Sequence, residues 1–134
     1  MTTDTTPGPR AFTFPQLAIA LQTLALFFQA TTAGMLLFTS HGYVLHDIGS
    51  RVMYGASMLY VLAATLTWRR SRGSLRPVLY ASGFLLLASA QVAAGITYVA
   101  WLHIPLGLLM FGLSVLVLVR ALAETSRGRR SHRA

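Results

Sequence analysis

Histidine stands twice at the head of one residue pattern. The segment HDIGSRVMYGAS begins at His46, and HIPLGLLMFGLS begins at His103. Each histidine is followed by a small residue at +4 (Ser50, Gly107), Met at +7 (Met53, Met110) and an aromatic at +8 (Tyr54, Phe111). Gly then follows at +9 (Gly55, Gly112) and Ser at +11 (Ser57, Ser114). Steps of four, seven and eleven return to one side of an α-helix. Each segment therefore predicts a helical face with an imidazole at one end and a thioether about two turns deeper.

A neutral imidazole is a metal ligand, and two of them can bind the opposite faces of one haem iron. A flat macrocycle also needs close approach and apolar walls. Gly55, Ser57, Gly107, Gly112 and Ser114 offer the space, and Met53 and Met110 offer adaptable walls. Arg51, about one turn from His46, can pair with a propionate. This reading makes His46 and His103 the metal ligands and the others the cofactor lining.

Each residue also has a purely structural reading. A histidine near a helix end can sit hydrogen-bonded at the membrane interface. Small residues can simply let helices pack, and Met can simply fill the core. Copper held by His46, His103, Met53 and Met110 is a third option. Seven residues of helix span about 10 Å, which is too far for one compact site. The coincidence of two histidines with the same spacers favours the paired site.

The elements that must carry these faces are membrane-spanning helices. Of 134 residues, 54% are hydrophobic and only 10% charged, too few charges for an ordinary soluble surface of this size. Apolar runs of about 18 residues or more mark spans, because lipid leaves no partner for unpaired backbone groups. Four runs are expected, near residues 14–40, 48–68, 77–101 and 104–123. Residues 1–13 form a polar tail and 124–134 a basic one around the single domain 14–123. The fold class expected is all-α, an integral membrane four-helix bundle.

The repeat extends upstream of the histidines, with Gln29 before Gly34 in QATTAG and Gln91 before Gly95 in QVAAG. The unit is then a helical hairpin used twice in parallel, about a pseudo-two-fold axis along the membrane normal. Such an axis lets the two histidine faces confront each other. Gln29 and Gln91 either hydrogen-bond between helices or face the cofactor or a quinone head group. His41, in the first outer connection, has no counterpart and is expected in a solvated loop. Asp47 either orients an imidazole or sits as an acid at a helix N-terminus. Trp68, Tyr98 and Trp101 have the character of interfacial anchors.

The net charge of +8 comes from eleven Arg, with no Lys. Arg69, Arg70, Arg72 and Arg76 fill the middle connection, and Arg120, Arg127, Arg129, Arg130 and Arg133 crowd the C-terminal end. The positive-inside rule places that side, with both termini, in the cytoplasm. The basic segments are short and close to the membrane, so they address anionic lipid and not nucleic acid. Arg without Lys, with abundant Ala and Leu, fits a GC-rich bacterium and its cytoplasmic membrane. No cysteine is present, which excludes disulfides, thiolate metal sites and C-x-x-C-H haem attachment. No phosphate-cradling Gly loop or hydrolase triad occurs, and the three acids Asp4, Asp47 and Glu124 are scattered.

With LHDIGSRVMYGAS, WLHIPLGLLMFGLS and LLLASAQVAAGITYVAWLHIP in view, the chain resembles one four-helix half of the haem A synthase family. It is similar as well to small four-helix bacterial membrane proteins of the same layout. The resemblance spans about residues 20–120 in topology and spacing, and implies a bis-histidine haem b site at His46 and His103. The first outer connection, SHGYVLHDIGSR, has neither the family's Glu nor its Cys pair. The resemblance thus implies the site and leaves synthase activity open. Two axial imidazoles leave no open iron position, which suits electron transfer, or haem handling for respiratory-oxidase assembly. Lipid, an oxidase-assembly or respiratory partner and a second copy are the expected company; two copies would restore eight helices and two sites. The alternative is a cofactor-free accessory subunit of a larger membrane complex.

Overall fold

The computed structural model describes residues 12–131, and side chains through residue 123. Among the described residues the chain is four α-helices and no strand: α1 Phe14–Met35, α2 His41–Ser71, α3 Arg76–Ile96 and α4 Ala100–Ser131. The Gln16 side chain accepts the Thr13 N–H at 3.0 Å, and Pro15 lies in the first turn, where a missing N–H is harmless. Arg72 adopts the left-handed region (φ 49°) and ends α2 by donating its N–H to the Trp68 carbonyl. Pro77 opens α3 in the same way that Pro15 opens α1.

Three helices, Phe14–Met35, Arg76–Ile96 and the Ala100–Ala123 part of α4, are long and apolar enough to cross a membrane. The helix α2, at 31 residues, has the length but not the apolarity, because Arg51, Tyr54, Ser57, Tyr60, Thr65 and Thr67 interleave with its apolar residues. The element bounds also differ from the apolar runs. The helix α2 starts at His41, so the expected first outer loop shrinks to residues 36–40 and His41 is helical, though exposed. Asp47 consequently sits in the second turn of α2 and not at its N-terminus, where no acid is present. The backbone of residues 124–131 continues α4, and residues 1–11 and 132–134 of the expected tails lie outside the described residues.

Each helix packs on its sequence neighbours, and α4 closes back on α1. The helices α2 and α4 make no close backbone approach, so they stand on a diagonal of the four-cornered bundle. The helices α1 and α4 are antiparallel: Gln16 donates to the Ala121 carbonyl at 2.9 Å, and Thr23 meets Ser114 at 2.7 Å, so seven residues up α1 (23−16) match seven down α4 (121−114).

The most extensive interface, between α1 and α2, is a seam of small residues seven apart. Ala18, Ala25 and Thr32 lie on α1, and Gly42, Gly49, Ala56 and Ala63 on α2, all buried. Small side chains at this spacing let two backbones close together along their whole length. Two apolar clusters stack along the interior. One joins Ala25, Leu26, Met53, Ala56, Phe84, Ala88 and Met110, and the other Ala18, Ile19, Tyr60, Ala63, Ala64 and Ala81. Between them in sequence lie the buried polar residues Gln22, Thr23, Ser57 and Ser114, of which Thr23 and Ser114 meet. Outside, the bundle is clad in exposed side chains such as Leu24, Leu86, Leu108 and Leu116.

Candidate functional site

The two histidines meet at the diagonal of the bundle. The rings of His46 on α2 and His103 on α4 lie with centroids 6.1 Å apart and planes at 73°. With a metal–imidazole bond of about 2 Å, two rings on opposite faces of one ion have centres about 6 Å apart. Axial ligation leaves the dihedral between the planes free, so the 73° is compatible with it.

Hydrogen-bond chemistry fixes which nitrogen of each ring carries its proton. His103 Nδ1 lies 3.0 Å from the Gln91 carbonyl, which can only accept, so Nδ1 holds the hydrogen. At His46, the Gln29 side-chain nitrogen donates to the His46 carbonyl at 3.1 Å and meets the ring Nε2 at 3.2 Å. An amide nitrogen has two hydrogens and no lone pair to offer, so Nε2 is the acceptor. The proton is then on Nδ1, 3.2 Å from Thr32 Oγ1, whose own hydrogen goes to the Gln29 carbonyl at 3.0 Å. Both imidazoles therefore carry a hydrogen on Nδ1, and Nε2 of His46 is an acceptor. Ligating histidines in proteins are commonly held in this manner, by an acceptor on the other ring nitrogen.

Glycines bring the polar side chains close. A Cβ at Gly49 would run into Gln29 Oε1, and one at Gly107 would stand 2.8 Å from Gln91 Nε2. A Cβ at Gly95 would stand 3.1 Å from the His103 ring. The oxygens Gln29 Oε1 and Gln91 Oε1 are buried without a hydrogen-bond partner. The pair of rings is thus framed by two amide acceptors without a partner among the described residues.

The other expected lining residues divide. Met53 and Met110 are both buried in one apolar cluster. Ser57 and Ser114 are deeper still, wholly buried; Ser57 donates to the Met53 carbonyl at 2.9 Å and Ser114 pairs with Thr23. Eleven residues of helix place them about 16 Å from the histidine level. Gly55 and Gly112 are exposed, with open space where a side chain would project. Arg51 is exposed and holds Asp47, with Nη2–Oδ2 at 3.1 Å. The structure thus gathers His46, His103 and Gly107 at one level and spreads the remainder along or outside the bundle.

The two rings are close enough to share one metal ion, but the expected lining residues Gly55, Gly112, Ser57 and Ser114 do not surround them. Ligation at His46 Nε2 requires the Gln29 amide to withdraw, since that atom is already engaged. Among the described residues no group of three or more His, Cys, Asp or Glu side chains gathers for a metal. Thr32 and the exact placement of Gln29 are additions to the sequence reading. The available signal was the repeat itself, since the position three after Gln29 is Thr32 while that after Gln91 is Ala94. No family model, no curated protein and no solved structure matches the chain.

Proposed function

We propose that this chain is a four-span protein of the bacterial cytoplasmic membrane that binds one haem b between His46 and His103. The observation that carries the reading is the pair of Nδ1–H imidazoles with centroids 6.1 Å apart. Three apolar helices and a leucine-clad exterior support membrane insertion, with α2 carried across by its packing on α1 and α3. Arg69, Arg70, Arg72 and Arg76 at and beside the α2–α3 connection, with the basic C-terminal end, support both termini in the cytoplasm and the histidines near the outer face. Two parallel hairpins, and kinship with one half of the haem A synthase family, complete the proposal. A bis-histidine haem supplies one-electron transfer without an open iron position. The chain's own part is to hold two imidazoles in the ligating tautomer, through Thr32 and the Gln91 carbonyl, inside an apolar bundle. Electron transfer, or haem handling in oxidase assembly, is the role this favours.

The test is an absorbance spectrum of protein purified from haem-replete cells. A Soret band and sharp reduced α and β bands are expected, and His46→Ala or His103→Ala should remove or greatly weaken them. Colourless protein, or spectra unchanged in both variants, would end the reading.

One observation favours a second reading. Both ring nitrogens of His46 already have partners in the protein, so the ring is satisfied without metal. On this reading the chain is a cofactor-free accessory subunit, and the His46→Ala/His103→Ala double variant folds and still co-purifies with its partner complex. Retention of the partner only in haem-loaded protein would count against it.

A further inference from the structure

We infer that the middle of the bundle holds internal water, bound by Gln22 together with Ser57 and Ser114. Gln22 is 0% exposed, and neither its amide nitrogen nor its amide oxygen has a hydrogen-bond partner. On a helix of 3.6 residues per turn it falls mid-way across the buried side of α1. Thr32 at one edge of that side reaches α2, and Thr23 at the other reaches α4. Gln22 therefore points along the diagonal into the bundle and not into a seam between two helices.

The layer it enters has acceptors to spare and few donors. The Thr23 hydroxyl donates to the Ile19 carbonyl at 2.8 Å, so the 2.7 Å contact with Ser114 uses the Ser114 hydrogen. The Ser57 hydroxyl donates to the Met53 carbonyl at 2.9 Å. What remains is lone pairs on Ser57 Oγ, Ser114 Oγ and Gln22 Oε1, with the two Gln22 amide hydrogens as donors. An anion finds too few donors here, and an apolar guest leaves every polar atom unsatisfied. Water both donates and accepts, and two to four polar partners are what a buried water requires. The clusters on either side, Met53, Met110 and Leu26 on one and Ile19, Tyr60 and Ala63 on the other, would confine it to this level.

This inference rests on no metal and stands apart from the histidine pair. The test uses the unaltered chain, labelled with ¹⁵N in its four glutamines and reconstituted in lipid nanodiscs. Magnetisation transfer from water to the assigned Gln22 side-chain NH₂ is the expected result. Its absence, with transfer to the half-buried Gln16 amide as the positive control, would overturn the proposal. Gln22→Met supplies an independent reading: in a hydrated layer it strands the water and lowers the unfolding temperature. A dry layer would instead lose an unsatisfied amide, so a raised unfolding temperature also overturns the proposal.

Discussion

At the scale of residues, the tautomer of each imidazole is set by groups with no freedom of role: a carbonyl at His103, and a hydroxyl already committed elsewhere at His46. Thr32→Val keeps shape and removes the acceptor for His46 Nδ1–H. Loss of such a partner weakens a metal site about 10- to 100-fold, and a haem titration followed at the Soret band should show it. Val→Thr-type rescue is unavailable on the other side, where the acceptor is backbone, so the effect should be confined to the α1–α2 half. The histidines, both Met and both Ser were legible because helical spacing alone assigns them to one face. Thr32 and the two glutamine orientations were not, because they depend on how α1 is phased against α2 and α3 against α4. Arg51 was read toward a propionate, yet its near neighbour in the helix, Asp47, takes it first. An exposed pair of this kind contributes only about 0.3–0.5 kcal/mol, little obstacle to re-pairing.

Among elements, the small-residue seam between α1 and α2 carries the sharpest steric demand. A Cβ at Gly42 would stand 2.7 Å from backbone atoms of Met35 and Leu36, which cannot swing aside. Gly42→Ala should therefore destabilise the protein by about 1–3 kcal/mol, as overpacking does. Gly112→Ala meets open space and should stabilise by up to about 1 kcal/mol through helix propensity. Thermal unfolding of the two variants in one detergent checks both signs. The turn between α3 and α4 stores a different strain, because Tyr98 is 86% exposed and sits at φ 57° without being glycine. Tyr98→Gly should relieve about 1 kcal/mol there, read as a higher unfolding temperature. The existence of four helices was legible from the apolar runs, but their ends were not. SHGYVLHD is polar enough to resemble a loop, yet Gly42 lets its backbone close onto the end of α1, and packing keeps it helical.

For the whole molecule, the absence of cysteine makes topology directly testable. Ser74→Cys, between α2 and α3, should react with an impermeant thiol reagent only after the cytoplasmic side is opened. Thr39→Cys, between α1 and α2, should react from outside. The reverse pattern would invert the proposed orientation. The class of architecture was readable from composition, because lipid accepts an exterior that water would not. The adjacency of helices was not readable, since any cyclic order of four helices satisfies the same hydropathy. The diagonal placement of α2 and α4 bears on biogenesis. Synthesis delivers helices in chain order, so the first hairpin emerges with one imidazole and no counterpart. The ring pair exists only once the final helix has docked across the bundle. A chain arrested before α4 would carry His46 with no ring opposite it.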